Sequence, residues 1–228
     1  MMLSMKRRNM QEYKPDYKKA MELADEVLIC SLSTNGFPFS VIELIEEATD
    51  IQVHTFNYFR KNMLELKVFG SEDAILFQRD GRAMIAYDEK YPKTRIRFSV
   101  LHELGHYMLN HNKVNVPESL YKIQETEANY FAAQILMPEQ ILGEMRNRLV
   151  PLTAEDLQKR FYVSRKAAEI RIDNLDIGIS IRANNPGAYD DLIVERFKPF
   201  LQKIAPVRSD FYSFEDELEL QRERESWC

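Results

Sequence analysis

Two cysteines in 228 residues, Cys30 and Cys228, are too few and too far apart for a disulfide framework, which points to a reducing compartment. No uncharged apolar run approaches the ~20 residues needed to cross a bilayer. The basic start, "MMLSMKRRNMQEYKPDYKK", lacks the apolar stretch a signal peptide carries after its positive end. A soluble, cytoplasmic protein without membrane attachment is therefore expected. There is no internal repeat and no low-complexity tract. The net charge of −5 removes any overall attraction to nucleic acid or anionic lipid. A hydrophobic fraction of 45% with only 7 glycines and 9 prolines leaves ample material for a core and argues against disorder.

Histidine is scarce as well, with four in the chain, and two of them stand in one stretch, "RFSVLHELGHYMLNH". On a helix, His102 and His106 lie about 40° apart and face the same way. Glu103 projects about 100° further round, within reach of a water on an ion the two imidazoles hold. Four histidines and 23 glutamates in random order would produce roughly 0.007 such HExxH matches in this length, so chance is a poor account. Phe98, Leu101, Leu104, Gly105 and Met108 form an apolar strip on the other side, expected to bury the helix. Gly105 weakens a helix and is tolerable where another element packs closely.

Zinc with two histidines requires a third protein ligand. The HExxHxxGxxH spacing is absent, because positions 109 and 112 are Leu and Asn. His111 is one residue short of it and reads better as a surface residue past the helix end. The remaining source is the later stretch "YKIQETEANYFAAQILMP". Glu125 and Glu127 are about 200° apart on a helix, so one at most faces the metal. Glu125 shares its face with Ala128, Ala132 and Ile135, and Asn129 follows one turn later, placed to hydrogen-bond a ligand histidine. Glu125 is the favoured ligand, with Glu127 in reserve.

The rest of the chain reads as α+β. Helices are expected over Asp16–Ile29, after an N-cap at Ser40, from Pro92 and Thr94 through the HExxH stretch, and over Glu118–Met137. "DIQVHTF" alternates like a short strand, and "AILFQ" and "RAMIAY" flank Asp80-Gly81, a hairpin signal. A small, mostly antiparallel sheet packed on the two site helices follows. "LTAEDLQKRF" and "SRKAAEIRIDNL" read as two short helices joined by "YVS", and "LIVERFKPFLQKI" as one more. The chain divides into an N-terminal helical segment (residues 1–30), a core (31–140), a helix-turn-helix-like segment (141–176), and a C-terminal helix with acidic tail (177–228).

"RIRFSVLHELGHYMLNH" followed by "ETEANYFAAQILMP" resembles the ImmA/IrrE metallopeptidases, more loosely from about Ile29 to Leu175. The resemblance implies a gluzincin-like peptidase with one Zn2+ ion and maps the family pattern onto His102, Glu103, His106 and the carboxylate helix at Glu125. It implies a protein substrate, a helix-turn-helix repressor whose loss releases genes of a mobile element, phage or stress response. In that mechanism Glu103 takes a proton from water and passes it to the leaving amine. The oxyanion donor is open among His54, Tyr87, Tyr130 and His111, and the hairpin could add substrate as another strand. A different class competes: Lys159, Arg160, Arg165, Lys166 and Arg171 make the helix pair locally basic, as in a DNA-binding regulator, though the acidic balance weighs against it. Capture of a repressor without cleavage is a third reading, disfavoured by the intact Glu103. Cys30 reads as the buried end of a helix and Cys228 as a terminal thiol.

Overall fold

A computed structural model describes residues 14–62, 73–112 and 116–205. The basic start, the acidic tail and Cys228 lie outside the described residues. The first helix of the described residues is α1 (Tyr17–Cys30), begun by the Asp16 side chain, which accepts from Lys19 N. Next comes α2 (Val41–Ala48), where Ser40 accepts from Glu43 N as the capping pattern requires. Strand β1 (Gln52–Thr55) runs directly into α3 (Phe56–Asn62), a helix that the residue pattern does not announce. Strands β2 (Ala74–Arg79) and β3 (Arg82–Tyr87) form the expected hairpin, with Asp80 at φ 51° and Gly81 at φ 75°. Two successive positive φ values match the right-handed twist of the flanking strands.

The sheet order is β1-β3-β2, with β1 parallel to β3 and β2 antiparallel to it. The sheet is thus mixed rather than mostly antiparallel, because the chain crosses from β1 to β2 through α3 instead of through a tight turn. Alternation along β3 serves two clusters. Ala83 and Ile85 join the main core, while Met84 and Ala86 meet Phe56 and Phe59.

Behind the sheet lie α4 (Lys93–Met108) and α5 (Glu118–Leu136), the helices that carry the two motifs. As expected from sequence, α5 stops ahead of Pro138, with Met137 as its C-cap, and α6 (Glu139–Asn147) restarts immediately with Pro138 just ahead of its first turn. After α7 (Ala154–Phe161), Tyr162 takes a left-handed conformation at φ 54°, and Ser164 caps α8 (Arg165–Asn184). That helix continues nine residues beyond the Leu175 boundary expected from sequence, through a stretch whose apolar spacing is weak. The last helical run among the described residues breaks at Phe197 into α9 (Asp190–Arg196) and α10 (Lys198–Ile204). One cluster of buried apolar residues extends from Ala20 to Leu201, so the four sequence segments share a core. Among the described residues no helix is long and apolar enough to cross a membrane. Cys30 is exposed rather than buried.

A buried ionic network joins the later helices to α1 and α5. Arg171 bonds Glu139 Oε1 at 3.1 Å, Met137 O at 2.7 Å and Gln134 Oε1. Arg182 bonds Asp25 at 2.9 Å and also Asp190, and Gln134 donates to Asp25 at 2.7 Å. Gly178 is required beside this cluster, since a Cβ there would lie 1.9 Å from Glu139 Oε1. Burial pushes the Asp25 carboxyl above its ordinary pKa, against the pull of Arg182. Arg171→Met removes the guanidinium and leaves the Glu139 carboxylate desolvated, so a loss of about 3–5 kcal/mol in urea unfolding is expected. A change within about 0.5 kcal/mol would show the pair to be dispensable.

Candidate metal centre

The pairing of α4 with α5 decides where the site forms. An added Cβ on Gly105 would lie 3.1 Å from Phe131 Cδ1, 3.2 Å from Ala128 Cα and 3.3 Å from Ala128 O. The two helices therefore meet almost backbone to backbone, and Leu101, Leu104 and Val100 are fully buried along the same face of α4. With that face packed, His102 and His106 project along the side of the contact, and Glu125 comes from the opposing helix one turn before Asn129. This placement follows from the 3.6-residue period alone once the contact is fixed.

The Nε2 atoms of His102 and His106 stand 2.9 Å apart. Glu125 brings one oxygen to 3.3 Å from His102 Nε2 and the other to 3.2 Å from His106 Nε2. Each of the three residues offers a ligand atom, and these atoms lie within 4.8 Å of one another. Donors about 2.0–2.1 Å from a tetrahedral ion stand roughly 3.3 Å from each other, so the spacing suits one metal ion. His106 is 1% exposed in its side chain and Glu125 29%, so the centre is closed behind His106 and opens past Glu125.

The outer hydrogen bonds fix the direction of both imidazoles. Asn129 Oδ1 can only accept, so His102 Nδ1–H donates to it, at 3.0 Å. His111 Nε2 lies 2.9 Å from Glu127 Oε2 and its Nδ1 lies 3.0 Å from His106 Nδ1. Burial pushes the His111 imidazole below its ordinary pKa, opposed by the hydrogen bond to Glu127, so at neutral pH it carries one proton. Glu127 accepts that proton's hydrogen bond, which makes His111 Nδ1 the acceptor from His106 Nδ1–H. Both Nε2 lone pairs then face the centre, where at 2.9 Å they repel unless a cation joins them. The donor set fits a metal on this ground. A proton on His102 Nε2 in place of the cation would hydrogen-bond Glu125, and that contact holds its carboxyl down at about 2; the Tyr121 hydroxyl adds a further hydrogen bond.

Of the residues singled out by sequence, His102, His106 and Glu125 converge, and Asn129 sits on His102. Glu127, the reserve ligand, points away from the cluster to His111, while its other oxygen accepts from Asp16 N at 2.6 Å. His111 is not a surface residue: its side chain is 6% exposed and bridges His106 to Glu127. Its spacing of five from His106 follows the helix end, where Asn110 at φ 58° turns the chain back. Tyr121 escapes the sequence reading, although its position four residues before Glu125 puts it on the same face. Glu103 is buried and accepts from Leu76 N of β2 at 3.0 Å. Of the oxyanion candidates, Tyr130 donates to Glu139 at 2.6 Å and His54 stacks on Tyr58.

A sequence model of the peptidase family described as the IrrE N-terminal-like domain matches residues 48–173. No curated protein matches the chain.

Two substitutions test the geometry. Glu125→Ala should lower metal affinity by a hundredfold or more, read by competition with a chromogenic chelator. Glu127→Ala should reduce it by roughly tenfold, since only the orientation of His106 through His111 is lost. Equal effects would show that both carboxylates act alike. Gly105→Ala gains roughly 1 kcal/mol of intrinsic helix preference, yet it should lower the melting temperature and weaken metal binding together, because Ala128 backbone cannot yield without moving Glu125. A rise in melting temperature with unchanged affinity would show the contact to be loose.

Proposed function

The chain belongs to the IrrE N-terminal-like family of peptidases, metallopeptidases of the ImmA/IrrE type, and from that membership we propose that it is a zinc-dependent endopeptidase whose target is a helix-turn-helix transcriptional repressor. The observation that carries the reading is the convergence of His102, His106 and Glu125 with Glu103 next in sequence to the first of them. His102, His106 and Glu125 would hold the zinc, which when bound would lower the pKa of a water and polarise a carbonyl oxygen. Glu103 is the group that accepts the proton from that water and delivers it to the leaving amine. The Leu76 N–H bonded to its Oε2 keeps the carboxylate from swinging away. Asn129 and His111 hold the two imidazoles in the tautomers that direct Nε2 inward.

Substrate placement is supported by the sheet. Strand β2 is at the edge, with β3 on one side only among the described residues. Since Leu76 N reaches Glu103, it does not bond β3, and alternate residues of β2 present N–H and C=O on that open side. An extended peptide adding to this edge would run alongside α4 and bring its carbonyls past Glu103.

A DNA-binding role receives less support. Of the five cations in the helix pair, Lys159 is paired with Glu155 at 2.7 Å and Arg165 with Glu169 at 2.8 Å. Arg171 is buried against Glu139. A surface that binds phosphate needs cations aimed outward and uncompensated, and the acids among them work against that.

Intact-mass spectrometry of the repressor-like protein encoded beside this gene, incubated with the zinc-loaded chain, tests the proposal. A discrete cut by the native chain is expected, with Glu103→Gln keeping its metal but cutting at least roughly 10²-fold more slowly. Equal cutting by both would remove Glu103 from the mechanism. An uncut repressor that co-purifies with both forms would replace cleavage by capture.

A further inference from the structure

A groove of about 680 Å³ begins where the metal centre ends. Its walls come from α4, α5 and α8, and Phe98 and Asn129 belong to both features: Phe98 lies beside the His102 ring, and Asn129 bonds it. On α8 the lining residues Ile170, Asn174, Ile177 and Ile181 recur at helical spacing, with Ile170 50% and Ile177 59% exposed. A helix that turns two large aliphatic side chains to solvent while its other face is packed has an unfilled side. From Ala167 to Ile181 the groove runs roughly 21 Å, about four helical turns. Its volume exceeds what a single side chain occupies and suits a segment with several anchors.

Charge narrows the occupant. The lining contains Arg95, Lys166 and Arg171 and no aspartate or glutamate, although the chain as a whole is at −5. Arg95 is paired with Asp73 and Arg171 with Glu139. Lys166 is exposed in the first turn of α8, and no ion pair among the described residues includes it. The positive end of the α8 dipole adds to it.

We infer that this groove docks an amphipathic helix of the substrate protein, with apolar residues seated on Ile170, Ile177 and Phe98 and acidic residues beside Lys166, so that selection of the target occurs here rather than at the scissile bond. The inference rests on the peptidase reading for the identity of the occupant. It divides recognition between two surfaces on either side of the metal centre: backbone pairing at β2, indifferent to sequence, and helix-in-groove packing at α8, which reads sequence.

The test uses the full chain carrying Glu103→Gln, so that probes persist. The probe is a fluorescein-labelled peptide of about 15 residues, with leucines at i, i+3, i+4 and i+7 and glutamates elsewhere; a second peptide has lysines in place of the glutamates. Anisotropy at low salt should show the acidic peptide binding at least tenfold tighter than the basic one. The double variant Ile170→Ser/Ile177→Ser, at exposed positions where folding is safe, should lose roughly tenfold for the acidic peptide. Lys166→Glu should shrink or invert the preference, and added salt should shrink it too. Equal binding of the two peptides, or binding untouched by these variants, overturns the inference. So does a concentration-dependent dimer that the double variant abolishes, since the face would then be covered by a second copy. Cleavage of the repressor by the native chain without selective binding would remove the groove and leave the peptidase. Selective binding with no cleavage by the native chain would remove the peptidase and leave the groove.

Discussion

The tight approach of α4 and α5 at Gly105 against Ala128 governs most of what lies around it. A metal site needs its donors placed to a few tenths of an ångström, and long side chains on separate elements rarely achieve that without a rigid reference. Here the reference is backbone against backbone, where a larger residue has no room. Once that distance is set, the helical period places the two imidazoles on one flank and Glu125 across from them. The same contact allows Phe131 and Ala132 to be fully buried, so the site and the core are stabilised by one packing arrangement.

Around the donors runs a second layer that is polar and directional. Glu127, His111 and His106 form a line of hydrogen bonds in which each proton position fixes the next. This layer determines that both inner nitrogens are acceptors. A carboxylate two residues from a metal ligand can thus support the site without touching the metal, and the distinction between ligand and support is made by which way a helix is rotated.

Much of this is visible in the residue pattern. The His102, Glu103 and His106 spacing, the candidate Glu125 with Asn129 a turn later, the Ser40 cap and the Asp80-Gly81 turn all depend on local periodicity or on backbone preferences of single residues, and those are written in the sequence directly. The place of His111 is not, because it depends on how the chain turns after Asn110, which no periodicity encodes. The helix α3 and the extension of α8 escape for a related reason: their residues are held by tertiary contacts, Phe56 and Phe59 by the far face of the sheet and Arg182 by Asp25, and their own patterns are faint. The mixed sheet follows from a crossover whose route cannot be read from the strands themselves.

The hydrogen bond from Asp16 N to Glu127 links residues 111 apart in the chain and begins outside the span matched to the family. The shared pattern covers residues 48–173, yet the line of hydrogen bonds behind His106 ends on a backbone amide well ahead of that span, and the carboxylate that meets Arg182 and Gln134 is Asp25 on the same early helix. The unit that descent recognises and the unit that physics completes are therefore different in extent. Any rearrangement that grafts the matched span onto another chain must bring a replacement for the start of α1, or the new protein inherits the motif without the amide that steadies it.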